Sequence, residues 1–280
     1  ENKGSAQIKS CIILSAINTP GITKIKSKKS RTHTELLLKY LKYPIKIKKT
    51  KNYDLIDIKG LGQLSSFEYK VPGDISSASF FMVLTLLSKK SKLLIKEINI
   101  NPSRTGILKI LKSMNANIKI VNKKNYKGEL IGDIKVKSTK SFKSINCPDS
   151  LNSSAIDEFL LIFLVAAKAK GISKFRNLDE LNKKESPRLN IAINFLRMIG
   201  VKVIREKNDV KIFGNPNLKL NGNYRVKNFL KDHRVFMMTC VAALSLIHKG
   251  SVVINDKDSI KTSFPSFLKL LKSLGAKISW

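Results

Sequence analysis

Hydrophobic and polar positions along this chain fall into two alternating helical patterns. Residues 75–88, 156–169 and 235–247 are apolar around most of a helix circumference, and 8–16 is a shorter relative. A helix with no polar face has no side to turn to water, so each of these is predicted to be buried. Between them lie amphipathic stretches, 35–42, 107–112, 191–196 and 267–272, which keep one polar face. Short β-rich segments follow both kinds of helix: 23–25, 92–95, 173–175 and 251–254 after the buried ones, 45–47, 118–120, 201–204 and 276–278 after the amphipathic ones.

The pattern is one phrase used four times. Ser30-Arg31-Thr32, Ser103-Arg104-Thr105, Ser186-Pro187-Arg188 and Thr262-Ser263-Phe264-Pro265 each lead into an amphipathic helix. Buried helix, strand, polar loop, amphipathic helix and strand recur with ends at Ile47, Ile120, Ile204 and Ile278. A unit of about 75 residues is a supersecondary fold, longer than the repeat of a solenoid.

Composition narrows the class. With 280 residues, 42% of them hydrophobic, the chain can bury a core in one large or two ordinary domains, which excludes wholesale disorder. Its longest apolar runs, 159–167 and 235–247, fall short of the roughly 20 residues of a membrane-spanning helix, so no membrane partner is expected. Cys11, Cys147 and Cys240 form no C-x-x-C pair and no cluster with histidine at ligand spacing. Neither a disulfide framework nor a metal site is predicted, and a reducing, cytoplasmic location fits. The formal charge of +33 could attract nucleic acid. Only eight of the 53 basic residues are Arg, however, and guanidinium forks are what read bases. Composition alone leaves open both a solvated lysine surface and an anion-attracting one. Because residue 1 is Glu and no charged-then-apolar leader follows, the sequence reads as an N-terminally truncated chain.

Polar groups mark the starts of the buried helices: Ser5-Ala6-Gln7, Asp74-Ile75-Ser76-Ser77, Ser153-Ser154 with Asp157, and Asp232-His233-Arg234. Helix starts offer free N–H groups and the positive end of the macrodipole, which suit anions. Ordinary N-capping explains each terminus separately. It does not explain Gln7, Lys184, Arg188 and Arg234 at equivalent edges of the repeats, and their convergence would make a phosphate and carboxylate site.

Seven motifs, taken in order, resemble the 5-enolpyruvylshikimate-3-phosphate synthase (3-phosphoshikimate 1-carboxyvinyltransferase) family. They are Ser5-Ala6-Gln7, Val71-Pro72-Gly73-Asp74-Ile75-Ser76-Ser77-Ala78, Asn101-Pro102-Ser103-Arg104-Thr105-Gly106, Ile156-Asp157-Glu158, Lys184-Glu185-Ser186-Pro187-Arg188, Asp232-His233-Arg234 and Thr262-Ser263-Phe264-Pro265. The resemblance implies an α/β fold, an inside-out α/β barrel of repeated βαβαββ units in two domains, the first incomplete. Residues 1–72 would be a remnant of the N-terminal domain and 73–280 a C-terminal domain of three units. It also implies an enzyme that moves the enolpyruvyl group of phosphoenolpyruvate to the 5-hydroxyl of shikimate 3-phosphate, with no cofactor and no nucleic-acid partner, acting as a monomer. This chain alone is expected to be inactive. A UDP-N-acetylglucosamine enolpyruvyl transferase, sharing the architecture, and a basic nucleic-acid-binding module are the alternative readings.

The resemblance also assigns roles. Asp157 is expected as general base and Glu185 as proton-relaying acid, with Lys184 beside it as a catalytic and substrate-binding residue. Ser5, Ala6, Gln7, Ser30 and Arg31, with Asp157 and Lys184, are expected to hold shikimate 3-phosphate. Gln7, Arg188, Arg234 and Lys261 are expected to hold phosphoenolpyruvate. Planar arginine forks suit carboxylate and phosphate in a way that the lysine point charge does not.

Overall fold

The computed structural model describes residues 1–226 and 231–279. The first unit comprises α1 (Ala6–Ile17), β1 (Ile22–Lys28), α2 (His33–Tyr40), β2 (Ile45–Lys49) and β3 (Tyr53–Lys59). The second repeats it as α3 (Ile75–Leu87), β4 (Lys92–Asn99), α4 (Gly106–Ser113), β5 (Ile118–Tyr126) and β6 (Glu129–Lys137). In the third, β7 (Phe142–Lys143) precedes α5 (Asn152–Ala155), α6 (Phe159–Ala167), β8 (Ala169–Phe175), α7 (Arg188–Met198), β9 (Val203–Glu206) and β10 (Asp209–Gly214). The fourth has β11 (Leu220–Val226), α8 (His233–Leu246), β12 (Ile247–Ile254) and α9 (Phe267–Ser273).

Helices lie inside and sheets outside. All nine residues of α6 are buried, and α3, α6 and α8 pack on one another. The sheets show one face to water: in β1, Lys24, Lys26 and Lys28 are exposed while Ile25 and Ser27 face inward. Much of the lysine excess is thus placed by the period-2 alternation of outer strands.

Each of the first three units contains a strand that the hydrophobic pattern left unassigned. The sheets run β1-β3-β2, β4-β6-β5 and β7-β8-β10-β9, so the strand returning from the hairpin lies between its neighbours. Ile56 and Ile58, Ile134 and Val136, and Val210 and Ile212 carry its buried face. The strand before the buried helix pairs in parallel with the strand after it, as β7 does with β8 and β11 with β12. With that strand included, the third unit is a complete βαβαββ.

Two expected elements differ. The helix expected over 156–169 starts only at Phe159, because the chain turns by 120° between residues 149–155 and 159–167. Residues 276–278 are not a strand, and the sheet of the fourth unit holds only β11 and β12 among the described residues.

Buried side chains form two separate clusters. Ile13, Ala16, Ile17, Ile25, Leu38, Tyr43, Ile56 and Ile58 make the core of the first unit. Most other buried apolar side chains belong to one large core running from Ile75 to Leu271. Residues 62–72 connect the two without helix or strand.

Candidate active site

Loops and helix starts from all four units, the second through Ser103, meet at an open cleft of about 600 Å³. From the first unit come Ser5, Ala6, Gln7, Ser30 and Arg31; from the third, Asp157, Lys184 and Glu185; from the fourth, Arg234. Ser5 stands there because it caps α1, its Oγ accepting the Ile8 N–H at 3.3 Å. Its hydroxyl also donates to Gln7 Oε1 at 3.4 Å. Arg234 enters at the second residue of α8, whose cap, Asp232, accepts the Arg234 N–H at 2.9 Å and the Val235 N–H at 3.3 Å.

The α5–α6 bend presents Asp157. Gly106 permits that bend: a Cβ there would lie 2.4 Å from Ser154 Oγ, so only glycine lets the start of α4 approach α5. Around the Asp157 carboxylate, Arg31 Nη2 lies at 2.5 Å, Arg188 Nη1 at 3.6 Å and Arg234 Nη2 at 3.8 Å. Burial acts to raise this carboxyl, but Arg234, Arg31, Lys184 and Arg188 outweigh it and hold it at about 2.

Arg188 is placed otherwise than expected. Its side chain is only 1% exposed, and its Nε donates to Asp232 Oδ2 at 2.8 Å while Nη2 donates to Glu185 Oε2 at 2.5 Å. It lies behind the cleft and ties its carboxylates together, because Asp232, further bonded by Ser186 Oγ at 2.7 Å, draws the guanidinium inward. Lys261 is not brought to the cleft at all. Its side chain is 71% exposed and pairs with Asp258 at 3.0 Å in the turn that carries both.

Sequence reasoning passed over several groups at this cleft. Lys3, Lys29 and Lys183 bring ammonium groups to the rim, while Ser103, Ser153 and Ser154, already marked by their loop and helix-start positions, add hydroxyls. Adjacency to Ser30 and Lys184 was the available signal for Lys29 and Lys183. Residue type carried none among so many lysines. Across the two cores, His33 Nδ1 lies 2.5 Å from Glu129 Oε1, and Asn101 Nδ2 donates to Glu129 at 3.2 Å and to Thr32 Oγ1 at 3.3 Å. The His33–Glu129 and Asn101–Thr32 contacts tie the first unit to the second.

An ionised carboxylate among cations, faced by hydroxyls and helix starts, defines a site for small polyanionic substrates. A sequence profile of the family described as EPSP synthase (3-phosphoshikimate 1-carboxyvinyltransferase) matches residues 2–271. The chain belongs to that family, and its fold is the family's inside-out α/β fold. The 3-phosphoshikimate 1-carboxyvinyltransferase of Ruthia magnifica is 37% identical over 280 residues, covering 98% of this chain and 61% of the relative. That of Petrotoga mobilis is 38% identical over 272 residues, with 96% and 61% covered. A solved EPSP synthase from Acinetobacter baumannii superposes with a TM-score of 0.87 at 32% identity, covering 98% of this chain and 61% of that one. This chain therefore spans about 61% of the length of the curated relatives it matches.

Proposed function

We propose that this chain carries the larger part of a 3-phosphoshikimate 1-carboxyvinyltransferase, which joins the enolpyruvyl group of phosphoenolpyruvate to the 5-hydroxyl of shikimate 3-phosphate and releases phosphate. The observation that carries the reading is Asp157, ionised and ringed by Arg31, Arg234 and Lys184 in the cleft. A carboxylate held at about 2 is a weak base. Phosphate and carboxylate groups of the two substrates would take up those same cations, and Asp157, losing their field, would become basic enough to receive the 5-hydroxyl proton. The freed oxygen attacks the enol carbon of phosphoenolpyruvate while Glu185, at the cleft beside Lys184, protonates the methylene carbon. Reversal of that proton transfer expels phosphate and restores the enol double bond. Two carboxylates working in opposite protonation senses need different surroundings, and these two have them: Asp157 is mostly buried among arginines, Glu185 is 59% exposed.

Ser5, Ala6, Gln7, Ser30 and Arg31 would hold shikimate 3-phosphate, and Arg234 with Gln7 phosphoenolpyruvate. Arg188 would serve by holding Glu185 and Asp232. We assign residues 1–72 and 73–280 to two domains, supported by the two separate cores. No single helix among the described residues is long and apolar enough to cross a membrane.

The test measures turnover of this chain alone and with a separately expressed segment covering the rest of the relatives' length. The chain alone is expected to be inactive and the mixture active, because closure over two anionic substrates requires groups from both sides of a cleft. In the mixture, Asp157→Asn and Glu185→Gln should each lower turnover roughly 10²-fold or more and leave shikimate 3-phosphate binding largely intact. Wild-type turnover in either variant removes that residue from the mechanism.

A further inference from the structure

The bend that presents Asp157 to the cleft carries a second carboxylate, pointing the other way. Glu158 is buried, and its Oε1 accepts a hydrogen bond from the hydroxyl of Ser76, in the first turn of α3. Ser76 Oγ in turn accepts from Arg104 Nη2 at 2.7 Å. The same nitrogen donates to Asp74, the cap of α3, at 2.9 Å. A chain of side chains from the second unit thus ends on the residue that follows Asp157.

The backbone of Glu158 is equally committed. Its N–H donates to Ala155 C=O at 3.0 Å, closing α5, and its C=O accepts the Leu161 and Ile162 N–H groups at 3.0 Å, opening α6. Wherever this side chain is anchored, the relation of the two helices follows, and with it the place of Asp157. The two adjacent carboxyls are also shifted in opposite directions. Burial raises Glu158 to about 7, helped by the charge of Asp157 and opposed by the Ser76 hydroxyl, Arg234 and Arg104. Asp157 stays ionised.

We propose that Glu158 is a positioning residue for Asp157: clamped to α3 through Ser76 and Arg104, it fixes the α5–α6 bend and exchanges charge with its neighbour. The proposal rests on the reading of Asp157 as the base. While Asp157 is ionised, repulsion favours the neutral form of Glu158. When Asp157 has taken a proton, that repulsion is gone, and Glu158 can ionise against the Ser76 hydroxyl and Arg104, its own proton released to solvent, which keeps the charge behind the cleft nearly constant.

The experiment is an infrared titration of the 280-residue chain, following the C=O stretch of protonated carboxyl groups. Wild type is expected to show a buried carboxyl that titrates close to neutral pH, and Glu158→Gln, whose amide still accepts from Ser76, to lack it. Asp157→Asn should lower the midpoint, and Ser76→Ala, which takes a donor from the ionised form, should raise it, each by roughly half a pH unit or more. Absence of the near-neutral band overturns the proposal. So does a midpoint that ignores both Asp157→Asn and Ser76→Ala, because a merely structural Glu158 would not couple to either. In the reconstituted assay, wild-type turnover is expected to change with pH near neutrality and Glu158→Gln to lose that change; its persistence in the variant also counts against the proposal. Failure of the base assignment is read separately, as wild-type turnover in Asp157→Asn with the infrared coupling intact.

Discussion

The first unit and the three that follow are written in the same phrase, yet they bury it to different depths. In α6 every residue is covered, and α3 has ten buried positions of 13. In α1 only Lys9, Ile13, Ala16 and Ile17 are buried, while Ile8 and Leu14 stand 43% and 56% exposed. The small core even encloses charge: Lys9 Nζ lies 2.6 Å from Glu35 Oε1, with no hydrogen bond from either group to anything further among the described residues. In the large core the comparable buried pair, Arg188 with Asp232, sits at the edge, where Ser186 and the start of α8 satisfy it. Repeated local pattern makes the helix in both places. Neighbours decide whether it becomes a core, and a charge pair taken out of water without further bonds gives little net stability.

The largest expected contrast is between the two pieces expressed separately. Residues 73–280 should melt in one cooperative transition and 1–72 in none, because so few buried side chains do not offset chain entropy. Two cooperative pieces would erase the distinction.

Next, Lys9→Met should destabilise the first unit by about 3–5 kcal/mol by stranding Glu35, and Lys9→Met/Glu35→Leu should recover most of the loss. Phe163→Ala should cost a similar amount, about 3–5 kcal/mol, through a cavity in the large core. Amide exchange separates them: the first substitution should open α1 and β1 alone, the second α6 and α3. Uniform opening by either would mean a single folding unit.

A smaller effect distinguishes the two carboxyls at the bend. Asp157 has its pKa lowered, so its contribution is present above the ordinary carboxylate range and lost as pH falls from about 4 through about 2; it is on the order of 2 kcal/mol. Glu158 has its pKa raised, so its contribution is present below its unfolded value and lost as pH rises through about 7. Urea unfolding across pH should therefore flatten at the acid end in Asp157→Asn and at the neutral end in Glu158→Gln. The reverse assignment would contradict the geometry of the bend. Smallest of all, a double-mutant cycle between Arg31→Lys and Asp157→Asn should give about 0.5 kcal/mol, since Arg31 is partly in water. A coupling of several kcal/mol would make that contact a principal tie between the two cores.

Legibility in the sequence followed the range of the interaction responsible. The buried helix expected over 75–88 is found as Ile75–Leu87, its start fixed by the cap immediately before it, Asp74 accepting the N–H of Ser77, three residues on, at 2.9 Å. α6 starts three residues later than the apolar pattern predicts, because Ile156 continues that pattern, while the break itself lies against Gly106 and Ser76, far off in sequence. β3, β6 and β10 alternate well enough, but their place at sheet centres depends on hairpin pairing that no single segment reveals. Ser5, Gln7, Ser30, Arg31, Asp157, Lys184, Glu185 and Arg234 do share one cleft. Their motifs announced them because each stands at a loop or helix start whose local chemistry repeats. Arg188 carried the same signal and was drawn inward by Asp232, 44 residues on.

By itself, then, the sequence determined which segments become helices, most of the strands that follow them, and which polar residues stand at helix starts. Those outcomes rest on periodicity, capping and the free energy of burying apolar surface, all decided within a few turns of chain. Tertiary structure alone decided that the chain bends ahead of α6, that Arg188 supports the cleft from behind while Lys261 faces solvent, and that Asp157 and Glu158, adjacent in the chain, are shifted in opposite directions. Each depends on electrostatic fields and steric room supplied by residues distant in sequence, and those exist only once the units have packed.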